Sequence, residues 1–127
     1  NGKTCFIASE PLKSSGKYDK SNRGKTYVFV TNVKNGTNHE ISVVAGFNYK
    51  KNTKVKFTID KNTTLLFPID DRAWSESPKI DKILVRKMKK GNKLIIEGTS
   101  SPGNVITDHY SLSGFTKALA LIDKNCS

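Results

Sequence analysis

Histidine, methionine, tryptophan and cysteine are nearly missing from this chain: two His, one Met, one Trp and two Cys in 127 residues. Only His39 and His109 are available as ordinary general bases, and they fall in different parts of the chain. Cys5 and Cys126 lack the close ligand spacing of a zinc site, so no metal is expected. Long apolar runs are missing too. The longest, residues 118–122, is far too short for the roughly 20 apolar residues that a membrane-spanning helix needs. No Lys-rich start leads into an apolar stretch, so any signal peptide is either already removed or was never present.

Negative charge is also sparse. Eleven Asp and Glu stand against 22 Lys and Arg, for a formal net charge of +11. Most of the cations are lysines spread along the chain. A flexible ammonium gives a diffuse positive field, whereas bidentate reading of phosphates or bases favours arginine. The field therefore favours anionic partners without specifying nucleic acid, for which the chain also lacks an aromatic strand platform. The glycines do not build a phosphate-binding loop, and no cofactor is expected.

What is present is a folded composition. Hydrophobic residues make up 35%, they alternate with polar ones, and the length suits one domain over residues 1–127. Strand patterns occupy residues 3–9, 25–33, 40–49, 54–60 and 64–69, and two more, KLIIEGTS and NVITDHYSL, lie on either side of Ser101-Pro102-Gly103. In KVKFTID, Val55, Phe57 and Ile59 share the inward face. Asn35-Gly36 is a hairpin signal, and Pro68 predicts a strand end or a sheet edge. Residues 10–24, with Pro11, Gly16, Gly24 and several charges, are expected to form a long, mobile polar loop.

Two helices are predicted. SPKIDKILVRKMKKG carries an N-cap at Ser77, Pro78 at the first helical position and Gly91 as terminator. Its apolar stripe is Ile80, Ile83, Leu84 and Met88. The second runs from about Ser113 to Lys124 and brings Phe115, Leu119, Ile122 and Cys126 together. Roughly seven strands and two short helices predict a mainly β fold, an antiparallel sandwich or partly open barrel.

Chemistry is harder to find. In a strand, His109 shares a face with Ser111 and points away from Asp108, so a hydrolytic triad would need a distant carboxylate. No nucleophile-elbow sequence accompanies it. Asp70-Asp71, followed by Arg72, reads as a turn. Trp74 reads as an anchor before the first helix or as an exposed contact beside Arg72. Lys79, Lys82, Arg86, Lys89 and Lys93 recur opposite the apolar stripe, giving a candidate basic surface for an acidic protein, lipid or polysaccharide. For the cysteines, the alternatives are two unrelated buried thiols, a metal pair with a histidine, and a terminus-to-terminus disulfide; domain ends often meet, which favours the last.

Several stretches resemble, in order, the invasion-associated locus B family of exported bacterial proteins. They are Cys5-Phe6 with Ser9-Glu10-Pro11, residues 27–31, residues 40–47, Asp71 with Ala73-Trp74, Leu84-Val85, residues 88–91, Gly98-Thr99-Ser100, Thr107-Asp108, residues 110–115, and Cys126. The resemblance implies a periplasmic or secreted, β-rich protein without a defined enzyme chemistry, so no catalytic set is carried over. Relatives often carry a Trp-containing segment before the first of these cysteines, and a small residue followed by Arg where this chain has Ser101-Pro102. The implied function is binding of a protein or an anionic envelope component. The alternative from the residues is a small periplasmic hydrolase using His109.

Overall fold

A computed structural model describes residues 3–126. Nine strands form an antiparallel sheet: β1 (Thr4–Ser9), β2 (Lys13–Gly16), β3 (Tyr27–Val33), β4 (Glu40–Val44), β5 (Val55–Ile59), β6 (Asn62–Ile69), β7 (Arg72–Trp74), β8 (Lys93–Thr99) and β9 (Val105–Ser111). Helices α1 (Pro78–Lys90) and α2 (Phe115–Asn125) complete the chain. The sheet order is β1-β3-β4-β7-β6-β5-β8-β9-β2.

The sheet curls into a half-barrel, and β6 is where it turns. Residues 62–66 of β6 pair with β5, whereas residues 67–69 pair with β7. The long strand thus passes from one part of the sheet to the other. Pro68 pairs with Ala73 one residue before the end of β6, where no strand lies on the β5 side. A residue without an N–H is tolerated there.

The alternating positions converge inside the curl. Val28 and Val30 of β3, Ile41 and Val43 of β4, Val55, Phe57 and Ile59 of β5, Leu66, Ala73, Leu94, Ile96 and Tyr110 meet the helices there. From α1 come Leu84, Val85 and Met88, and from α2 Phe115, Leu119 and Ile122. Residues paired across antiparallel strands share a face, so the odd positions of β3 and β6 point outward.

Several expectations change. Strands β2 and β7 are additional to the seven predicted, because a strand of three or four residues leaves almost no periodic signal. The expected polar loop is not free: Lys13–Gly16 pairs with β9 from Ile106 to His109. On α1 the inward stripe is Asp81, Leu84, Val85 and Met88, with Ile80 and Ile83 only half-buried. The Ser77 cap forms, its Oγ accepting from the Ile80 N–H, a contact worth about 1 kcal/mol. Gly91 ends α1 at φ −88°; it is needed for space, since a Cβ there would lie 2.6 Å from Ile59 Cγ2. Helix α2 begins two residues later than expected, with Gly114 as N-cap at φ +79° and no side-chain cap. The Ser113 N–H instead donates to Ser111 Oγ.

Cys126 follows α2 and is disulfide-bonded to Cys5 of β1, with their Cα atoms 5.8 Å apart. Beside this link, Asp123 Oδ1 accepts from Asn32 Nδ2 at 2.8 Å and contacts His39 Nε2 at 2.7 Å. Asn32 Oδ1 in turn accepts from the His39 N–H. His39 therefore fastens the 34–39 turn to α2. Burial raises the Asp123 carboxyl, but the Asn32 and His39 hydrogen bonds and nearby positive charge outweigh it, leaving the carboxyl below its usual value.

Candidate functional site

The outer face of the sheet falls into two halves of different character. Following the register outward from β1, Phe6 pairs with Thr31, Phe29 with Ser42, Ser42 with Trp74, and Trp74 with Phe67. Arg72 pairs with Ile69 and with Val44, and Val44 with Tyr27. One band across five strands therefore carries Phe6, Tyr27, Phe29, Val44, Trp74, Phe67, Ile69 and, one step along β6, Leu65. The other half carries Lys56, Thr58, Ile95, Glu97, Thr107 and His109 at the corresponding positions. Only the first half is an apolar surface.

This band is open. Ile69 is 64% exposed, Phe6 57%, Leu65 48% and Phe67 40%. Phe6 meets Phe29 edge-on at 5.8 Å between centroids, and Tyr27 lies 5.3 Å from Phe29. Cations sit over the rings: the Arg72 guanidinium is 5.9 Å from the Phe29 centroid, and Lys54 Nζ is 5.1 Å from that of Phe67. Contiguous exposed apolar surface of this kind marks interaction sites more often than scattered single residues do.

At the β6 end the band runs into an open groove of about 880 Å³. Phe67, Pro68, Ile69 and Asp70 at the end of β6 line it together with residues 48–54 and Ser101. Tyr49 braces that loop. Its ring packs so closely on β8 that a Cβ at Gly98 would lie 2.5 Å from Tyr49 Cε1, and an isolated bridge joins it to Ser100. The Tyr49 hydroxyl is pushed well above its usual pKa by burial and by the Asp108 charge.

Behind the groove lies a buried charge pair. Arg23 Nη1 and Nη2 donate to the two oxygens of Asp108 at 2.9 and 2.7 Å, and Arg23 Nε donates to the Ala45 carbonyl at 2.9 Å. Ser14 Oγ donates to Asp108 Oδ1 at 2.6 Å. The guanidinium lies 5.0 Å from the Tyr18 ring centroid and 5.1 Å from that of Phe47. Burial opposes its charge, yet the Asp108 hydrogen bond and charge raise its pKa beyond the ordinary value. Close approach completes the clamp: Gly24 N–H donates to Gly46 O, and a Cβ at Gly46, where φ is +79°, would lie 2.4 Å from Gly24 O. Residues 13–24 are thus strapped across the end of the sheet. Tyr110, next to this pair, has a buried hydroxyl with no partner among the described residues, and burial raises its pKa.

The sequence-derived candidates separate into three places. Arg72 and Trp74 lie in the aromatic band, Arg72 exposed and Trp74 half-buried. Lys79, Lys82, Arg86 and Lys89 are exposed on α1, whose buried side faces the sheet's inner surface, so the sheet stands between them and the band. Lys93 is in β8, paired with Ser111, and does not join the helix stripe. Lys50, Lys51 and Lys54 line the groove, while Lys56 stands 3.6 Å from Glu97. The remaining apolar members of the band were missed because each is an ordinary strand residue, and only the register reveals that they share an outward face.

His109 is half-buried on the polar outer half, as its alternation with Asp108 predicts. It lines a shallow cleft of about 380 Å³ with Lys13, Lys93 and Ser111, and no carboxylate lines that cleft. Asp108 points inward and is spent on Arg23 and Ser14. A Ser–His pair without an orienting acid, flanked by two ammonium groups, is not a hydrolytic constellation. Among the described residues there is no cluster of His, Cys, Asp and Glu able to hold a metal, and no helix is long and apolar enough to cross a membrane.

No curated protein and no solved structure matches the chain. A family model does match, over residues 1–123, described as invasion associated locus B (IalB) protein. With nearly the whole chain covered by that match, this protein belongs to the invasion associated locus B (IalB) family.

Proposed function

We propose that this protein acts in the periplasm or outside the cell as a binding protein, with the aromatic outer face of β1, β3, β4, β7 and β6 as its contact surface and an anionic envelope component as its ligand. The observation that carries this reading is the exposure of Phe6, Leu65, Phe67 and Ile69 on one continuous face with Arg72 and Lys54 stacked on its rings. Apolar contact supplies the affinity, and the cations select for negative charge. Lys82, Arg86 and Lys89, on the far side, add to the long-range field that speeds encounter.

Retention on washed bacterial envelope fragments at physiological salt tests this. A Phe67→Ser, Ile69→Ser, Arg72→Glu variant changes exposed side chains only and is expected to lose retention. A Lys82→Glu, Arg86→Glu, Lys89→Glu variant is expected to keep retention at equilibrium while binding more slowly. The reverse pattern would transfer the contact surface to α1. Full retention by both variants would remove the aromatic face from the function.

A further inference from the structure

We propose that the groove between residues 48–54 and the end of β6 is a subsite for an acidic oligosaccharide, a run of sugar rings carrying carboxylates. The inference rests on the binding function above and names the chemical class taken at this end of the face. The groove has three kinds of lining, and each matches one part of such a ligand. Phe67, with Pro68 and Ile69 beside it, offers an apolar platform of the sort on which the C–H face of a sugar ring stacks. Asn48, Asn52 and Ser101 are exposed in its lining and offer amides and a hydroxyl for sugar hydroxyls. Lys50, Lys51 and Lys54 are exposed, and none of them is in a salt bridge among the described residues.

The shape and the charge balance select among anionic ligands. Three lysines face a single acid, Asp70, so the groove favours negative charge. A volume of about 880 Å³ is within the range of small-molecule sites. A concave wall of amides and hydroxyls suits a ligand that fills it with hydroxyls, whereas a bilayer surface meets a protein as a plane. Lysines in place of arginines suit carboxylates spaced along a flexible chain, which need point charges more than a rigid bidentate fork. The groove wall is also held in shape before any ligand arrives, because Tyr49 is wedged against Gly98 and the Tyr49 N–H donates to the Asp70 carbonyl. A pre-formed wall lowers the ordering cost of binding.

Calorimetric titration of the folded protein with a galacturonate oligomer tests the proposal. A neutral glucose oligomer of the same length and vesicles of phosphatidylglycerol and phosphatidylcholine serve as comparisons. The expected result is binding of the galacturonate oligomer alone, weakened at least about tenfold by Lys54→Glu and by Phe67→Ala, a change of about 1.4 kcal/mol. Lys82→Glu on α1 is expected to leave it unchanged. Equal weakening by Lys82→Glu would reduce the effect to net charge and overturn the subsite. Failure to bind the galacturonate oligomer, with or without vesicle binding, would also overturn it. In that case envelope retention that still depends on Phe67, Ile69 and Arg72 would leave the binding function standing, and loss of that dependence would remove both.

Discussion

Replacing Asp108 by asparagine should destabilise this protein more than any other single change that preserves side-chain shape. The side chains of Arg23 and Asp108 are only 8% and 5% exposed. Asp108 accepts two bonds from Arg23 and one from Ser14. With asparagine, either orientation of the amide sets an N–H donor against a donor of Arg23, and the guanidinium loses its counter-charge. Breaking one side of a buried pair costs about 3–5 kcal/mol, a large part of the 5–15 kcal/mol typical of a whole domain. For a chain of this length that corresponds to a fall in Tm of roughly 10–20 °C. Urea unfolding followed by circular dichroism at neutral pH measures it. The cycle is completed with Arg23→Met, Asp108→Leu and the double variant. The double variant should recover most of the loss, because two apolar side chains leave no unpaired charge. A cost below about 1 kcal/mol for Asp108→Asn would be that of a solvated surface pair. It would refute the claim that this pair clamps residues 13–24 to the sheet.

Three further outcomes are expected. Asp123, whose folded pKa is lowered, contributes stability that is present above the ordinary aspartate value and lost as pH falls through the folded value. Asp123→Asn should therefore destabilise at pH 7, by less than about 1 kcal/mol because the side chain is 40% exposed, and the difference from the unaltered protein should shrink as pH falls below the ordinary aspartate range, as paired urea melts would show. Cys5→Ser with Cys126→Ser removes a link across 121 residues and should cost about 5 kcal/mol in the chain-entropy account, read as a lower urea midpoint equal to that of the reduced, unaltered protein. Gly98→Ala drives a methyl into the Tyr49 ring and should cost about 1–3 kcal/mol, with near-ultraviolet circular dichroism reporting displacement of the ring.

The stability predictions depend on residues that the sequence displays unequally. Strands β3, β5, β8 and β9 and helix α1 were legible because seven or so alternating residues, or a capped apolar stripe, carry their own periodic signal. Strands β2 and β7 were not, because KSSG and RAW are too short to show a period and form only against neighbours already in place. By sequence, Asp81 reads as a first-turn charge that favours the helix dipole. Instead it is buried, Ser75 Oγ donates to it at 2.6 Å, and burial raises its pKa above the usual carboxylate value. Helical periodicity locates an apolar stripe to within one residue, and that single residue decides whether Ile80 or Asp81 faces inward.

The candidate site was less legible still. Trp74 and Arg72 were noticed as neighbours of opposite character, but Phe6, Phe29, Phe67 and Ile69 come from strands separated by as many as 63 positions. Their common outward face depends on the pairing Phe29–Ser42–Trp74–Phe67. Likewise, Arg23 is one cation among 22 in the sequence, and nothing local marks it as the one that is buried.

The amino-acid sequence by itself determined the mainly β character, the two helices, the likeness to an exported family, the inward set of each long strand and the absence of a catalytic motif. Apart from the family likeness, which rests on the matching motifs themselves, these follow from short-range periodicity, capping and composition. Tertiary structure alone decided three things: that β6 turns the sheet by changing partners, that the polar stretch after Pro11 is strapped down by Arg23 and Asp108, and that the lysines divide between α1 and the groove. Each requires knowing which distant segments become neighbours. That information resides in the pairing register and the curl of the sheet, and no local window of sequence contains it.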